Sequence, residues 1–148
     1  MRNRMELIFS ALAENEAFAR MAISAFLVKS NPTLSAVSEI RTAVSEAVTN
    51  AVVHAYGNEK KMEESIVMRA LLEDGQIHIE IQDFGCGIVD IKQAMTPFYT
   101  SKPEQERTGM GFSLMLSFMD KVEVQSEIGC GTLVRMSKYL GNDDLNAI

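Results

Sequence analysis

The hydrophobic positions of this chain change their period from segment to segment, and the changes mark out its elements. Met5 to Ala11 reads as a short first strand. From Asn15, placed to cap a helix, Phe18, Met21, Ala22, Ala25 and Phe26 recur at helical spacing and predict a helix over Glu16–Lys29. Asn31-Pro32 ends it, because proline lacks an amide hydrogen and restricts the residue before it. Thr33 or Ser35 then caps a longer second helix reaching about Ala55, with Val37, Ile40, Val44, Val48, Ala51 and Val52 on its apolar face.

Beyond a charged, solvated connection over Gly57–Glu64, the period falls to two. Ile66–Glu73 and Gln76–Asp83 read as strands joined by Asp74-Gly75, a strong hairpin signal. Ile77, Ile79 and Ile81 alternate with His78, Glu80 and Gln82, so one face of the second strand meets a core. Asp90–Met95 reads as a short helix and Thr96–Thr108, polar with two prolines, as a mobile loop. Gly109-Met110-Gly111 leads into a helix over Phe112–Met119. The strands Lys121–Glu127 and Thr132–Ser137, turned at Gly129-Cys130-Gly131, complete the pattern. Adjacent hairpins with helices between them predict an α+β fold, a two-layer α/β sandwich whose mostly antiparallel sheet carries helices on one face. Strands do not alternate with crossover helices, which argues against a doubly wound sheet. No repeat or linker divides the sequence, so a single domain over residues 1–140 with a flexible tail over 141–148 is expected.

Composition changes this picture little. The 148 residues are long enough for one core, and 47% hydrophobic with 23% charged is ordinary for a soluble protein. A net charge of −6 without a basic stripe argues against polynucleotide, though backbone N–H groups can hold a nucleotide's phosphates without a basic surface. Met1-Arg2-Asn3-Arg4-Met5-Glu6 lacks the apolar core of a signal peptide and charge interrupts every apolar run, so a cytoplasmic protein is expected. Cys86 and Cys130 are isolated and read as reduced, small apolar side chains, and the ten methionines as core fillers.

The candidate chemistry lies on one helix and three glycine turns. Glu46, Asn50 and His54 recur at i, i+4 and i+8 as a polar stripe, which a solvated helix face would also produce. Asn50, however, sits among Val48, Ala51, Val52 and Val53, where an amide is a poor helix former; its oxygen suits Mg²⁺. A carboxylate one turn earlier can orient or deprotonate an attacking hydroxyl. Asp83 ends a strand and is followed by Phe84-Gly85-Cys86-Gly87, where a fixed acceptor could take the exocyclic amine of adenine and glycines admit the base, although a plain turn would look the same. Gly109 and Gly111, opening a helix, offer N–H groups to phosphate. Neither GxxxxGK[ST] nor GxGxxG is present.

In combination these parts are more specific. Glu46-x-x-x-Asn50, Asp83-x-Gly85-x-Gly87, Gly109-x-Gly111 and Gly129-x-Gly131-Thr132 resemble the ordered boxes of the GHKL ATPase/kinase superfamily. That resemblance implies ATP and Mg²⁺ as cofactors, Asn50 as the metal ligand, Asp83 on adenine and Thr132 supporting that contact through water. It implies an ATP lid over Pro97–Thr108, with Thr100, Lys102 and Arg107 toward the nucleotide; exposed loop charges are the plain alternative for the two cations. Ser45-Glu46-Ala47-Val48-Thr49-Asn50-Ala51, with His54-Ala55-Tyr56, is similar to the small anti-sigma-factor serine kinases. The lid Phe98-Tyr99-Thr100-Ser101-Lys102-Pro103-Glu104, the run Arg107–Phe112 and the opening Met1-Arg2-Asn3 resemble the sporulation branch of that family. The likeness implies a homodimer that holds a sigma-F-like factor and phosphorylates a serine on an anti-anti-sigma partner. It makes Glu46 the catalytic base, Arg20 a partner contact and His54 a supporting residue rather than a phosphoacceptor. The connection before the first hairpin is longer and more charged than the family's, and Val89 stands where a proline is common. A general-stress relative, a binding-only module and a detached histidine-kinase catalytic domain stay open as alternatives.

Overall fold

The computed structural model describes residues 2–55, 64–95 and 111–141. Five strands form one antiparallel sheet: β1 (Asn3–Ser10), β2 (Ser65–Glu73), β3 (Gln76–Asp83), β4 (Lys121–Glu127) and β5 (Gly131–Tyr139). Their order is β1-β2-β3-β5-β4, so β5 lies between β3 and β4 and the sheet's centre is built from two hairpins laid side by side. The Asp74-Gly75 turn has both residues at positive φ, 52° and 75°, the conformation a two-residue hairpin needs to match strand twist. The α+β sandwich expected from the pattern is the fold observed.

Three main helices, α1 (Asn15–Leu27), α2 (Leu34–Asn50) and α4 (Gly111–Phe118), accompany the sheet, with a short α3 (Ile91–Ala94) after β3. Thr33 caps α2, its Oγ1 accepting from Ala36 N–H at 3.1 Å, and Asp90 caps α3 in the same way through Gln93 N–H. α2 is the centre of the helical layer, packed against both α1 and α4. Its Ile40, Val44 and Val48 are fully buried with Ile77, Ile79 and Ile81 of β3, Ile66 and Met68 of β2, and Met115 of α4. Each such aliphatic side chain removed from water contributes roughly 1.5–3 kcal/mol before chain entropy is counted.

Two features of α1 differ from the sequence expectation. Asn15 does not cap the helix; Glu14 occupies that position, and the Asn15 amide donates to Ser10 O at 2.8 Å, tying α1 back to β1. The buried face carries Ala19, Ile23 and Leu27, whereas Phe18 and Met21 are exposed at 52% and 67%. The helix is apolar on both sides, and of the expected face Ala22 and Phe26 still pack, partly buried, against the core. The thiols are free, as expected, yet both are exposed rather than acting as core residues. Among the methionines, Met68, Met115, Met119 and Met136 do fill the core. The charged 57–63 stretch, the lid and the 142–148 tail lie outside the described residues.

Candidate functional site

The strand order brings one row of polar side chains together. Asp83 at the end of β3 pairs with Thr132 of β5, and Thr132 pairs with Ser126 of β4. Alternation along β3 buries Ile77, Ile79 and Ile81, so Asp83 falls on the same inward face, and it and Thr132 are 6% and 8% exposed. A buried carboxylate without donors would be costly. Here Oδ1 accepts from Gly85 N–H at 3.0 Å and from Thr132 N–H at 3.2 Å. Oδ2 takes no hydrogen bond among the described residues. Burial raises the Asp83 pKa above the ordinary carboxylate value, and the two backbone donors oppose that shift.

Two glycines permit the close approach. Gly131 has φ +100°, and a Cβ there would lie 2.1 Å from Asp83 O. Gly87 has φ +81°, and a Cβ there would lie 2.4 Å from Glu127 O. The segment after Asp83 is thereby fastened along the β4–β5 turn: Gly129 N–H donates to Cys86 O at 2.9 Å and Ile88 N–H to Ser126 Oγ at 2.7 Å.

The end of α2 meets this loop. The helix is regular through Asn50 and then widens into a π-helical turn over Ala51–Ala55, a local irregularity common at functional sites. The Cys86 thiol donates to His54 O in that turn at 3.3 Å, joining the turn to the Asp83 loop. Glu46 and Asn50, one helical turn apart, are both half-buried. Among the described residues no three His, Cys, Asp or Glu side chains group as a metal site. Gly111 is the first residue of α4, while Thr100, Lys102, Arg107 and Gly109 lie outside the described residues.

Arg20 stands apart from the Asp83 row, on α1. Its Nη1 lies 3.5 Å from Glu16 Oε1, and its enclosed Nε has no acceptor among the described residues. Glu16 Oε1 also accepts from the hydroxyl of Ser45, the residue before Glu46, so the arginine's own ion pair is anchored to α2. Ser126 and Glu16 were not singled out by the sequence. For Ser126 a signal existed: it takes the inward phase set by Val122 and Val124, where a polar residue calls for a partner.

Residues 9–138 match the model of the histidine kinase-like ATPase domain. An anti-sigma F factor of Geobacillus sp. (strain WCH70) is 49% identical over 140 residues, covering 95% of this chain and 94% of the relative. That of Pasteuria penetrans is 53% identical over 141 residues, covering 94% and 92%. The chain belongs to the anti-sigma F factor family. Solved structures agree on the fold of this anti-sigma F family member. The RsbU and RsbW domains of a Mycobacterium tuberculosis protein superpose with a TM-score of 0.69 at 19% identity, over 93% of this chain and 32% of that one. The catalytic domain of the histidine kinase ThkA gives 0.56 at 15% identity, over 93% and 96%. No helix among the described residues is long and apolar enough to cross a membrane.

Proposed function

We propose that the chain is an anti-sigma factor and protein serine kinase. It would hold a sigma-F-like sporulation factor and use Mg–ATP to phosphorylate a serine on an anti-anti-sigma antagonist. It would act in the cytoplasm as a homodimer, each chain supplying one ATP-binding domain over about residues 1–140. The observation that carries the nucleotide side is the Asp83 carboxylate: one oxygen is fixed by two backbone amides and the other is left for a donor. A 6-amino group of adenine is such a donor, and Gly85 and Gly87 line the approach. Near-full-length identity to anti-sigma F factors supports the sigma-factor side.

The donor set fits the cofactor. Asn50 offers a hard oxygen where α2 widens, and magnesium takes few protein ligands besides phosphates and water. Bound Mg²⁺ would supply charge neutralisation at the phosphates. Gly109 and Gly111 would turn backbone N–H groups toward them, and Thr100, Lys102 and Arg107 would approach from the lid. Glu46, one turn before Asn50, would accept the proton of the antagonist's seryl hydroxyl. Arg20, whose side chain is 39% exposed beside Glu16, would meet a partner protein's acceptor group through its guanidinium.

The test is transfer from γ-labelled ATP to a purified anti-anti-sigma protein, followed by acid treatment, since phosphoserine survives acid and phosphohistidine does not. Acid-stable label that Glu46→Gln abolishes while ATP still binds is the expected result. Bound nucleotide with no label moved would leave a binding-only anti-sigma module. Normal turnover in Glu46→Gln would remove the base assignment.

A further inference from the structure

Among the described residues Ser126 Oγ makes three contacts: Ile88 N at 2.7 Å, Thr132 Oγ1 at 2.8 Å and Gly131 O at 3.1 Å. A hydroxyl has one proton to donate and two lone pairs to accept with. The Ile88 amide can only donate, and the Gly131 carbonyl can only accept. All three contacts are therefore hydrogen bonds at once in a single arrangement. Ser126 accepts from Ile88, gives its own proton to Gly131 O, and accepts the proton of Thr132. That commits the Thr132 proton to Ser126 and leaves Thr132 with lone pairs alone for anything entering beside it. Its neighbour in the row, Asp83 Oδ2, is likewise an acceptor when ionised.

We infer that Ser126 is a specificity-determining positioning residue: by fixing the polarity of the Thr132 hydroxyl, it makes the cradle select 6-aminopurine and reject 6-oxopurine nucleotides. The inference rests on the proposed placement of adenine at Asp83. With Thr132 reached through water, a Thr132 hydroxyl that only accepts takes one proton of that water and leaves the other for the acceptor N1 of a 6-aminopurine whose amine meets Asp83 Oδ2. A 6-oxopurine brings an oxo oxygen to that carboxylate and a protonated N1 to that water. Without Ser126, the Thr132 hydroxyl is free to rotate and donate to that water, which can then accept from a protonated N1, so the two base classes become more alike.

Equilibrium titration of ATP and inosine triphosphate on one protein sample measures this without catalysis, and a reduced folded fraction cancels in the ratio of the two Kd values. Ser126→Ala is expected to lower the preference for ATP by about tenfold, the worth of one buried hydrogen bond. Ser126→Thr, which keeps the hydroxyl, should restore it. Thr132→Val should also lower it, and adding Ser126→Ala to Thr132→Val should change it no further. A wild-type ratio in Ser126→Ala overturns the inference, as does an equal drop in the Thr132→Val background. If Asp83→Asn loses ATP but Ser126→Ala keeps its ratio, only the role of Ser126 falls. If Asp83→Asn binds ATP like wild type, or wild type binds none, the adenine placement falls and the inference with it.

Discussion

Gly131→Ala, compared with Gly129→Ala, probes how the cradle is held together. Both glycines have positive φ, +100° and +81°, so alanine at either costs about 1–2 kcal/mol in backbone conformation. They differ in surroundings. A Cβ at Gly129 meets nothing within 4 Å among the described residues, whereas at Gly131 it would sit 2.1 Å from Asp83 O and 2.7 Å from Phe84 Cα. Ordinary contact begins at 3.4 Å, so β3 and β5 must part by more than an ångström at this row. The Thr132 N–H to Asp83 Oδ1 bond is already 3.2 Å long, and that parting breaks it. A hydrogen bond to a charged group is worth roughly 1.5–3 kcal/mol. Gly131→Ala is therefore expected to cost roughly 2.5–5 kcal/mol and Gly129→Ala about 1–2 kcal/mol. Urea unfolding of both variants at one pH, with ATP titration of whichever fraction folds, supplies the comparison. Equal destabilisation by the two alanines, or wild-type ATP affinity in Gly131→Ala, would refute the reasoning that this glycine exists for the approach of Thr132 to Asp83.

Three further expectations follow from the same contacts. Thr33→Ala removes the α2 cap and should lower unfolding free energy by about 1 kcal/mol, with Thr33→Ser retaining most of it; a neutral alanine would show that the Leu140-side contacts hold the helix end alone. Because burial raises the Asp83 pKa, its folded state favours the proton: the contribution is full below the unfolded pKa of about 4 and is lost as pH rises through the higher folded value. The stability difference between wild type and Asp83→Asn, followed by urea unfolding across pH, should thus move against wild type as pH rises; a difference that grows in its favour would contradict the dominance of desolvation. Saturating Mg–ATP at a hundred times Kd should stabilise wild type by about 2.7 kcal/mol and Asn50→Ala by much less; equal thermal shifts would take Asn50 out of the site.

Local rules were enough for much of the molecule. Asp74-Gly75 demanded a hairpin because few residue pairs tolerate two consecutive positive φ values, and the isoleucines of β3 could face only one way once the strand formed. Thr33, one of the two caps the sequence offered for α2, follows from a side-chain oxygen within reach of its own helix amides. The order of glycine boxes, compared as a whole, pointed to the superfamily although each box alone is weak.

Tertiary structure decided what depends on distant partners. Helix α1 has apolar residues on two sides, so its periodicity could not say that Ile23 and Leu27 would be buried and Phe18 and Met21 left in water; only the shape of α2's surface selects between them. Asn15 looked like a cap, yet the carbonyl of Ser10 was the nearer partner. The insertion of β5 between β3 and β4 is a nonlocal pairing, and it alone aligns Asp83, Thr132 and Ser126 in one row. The sequence by itself therefore determined the elements and the family, because those rest on short-range geometry and ordered spacing. Which hydroxyl gives its proton to which, and hence the polarity the cradle shows a base, was decided only when three strands met.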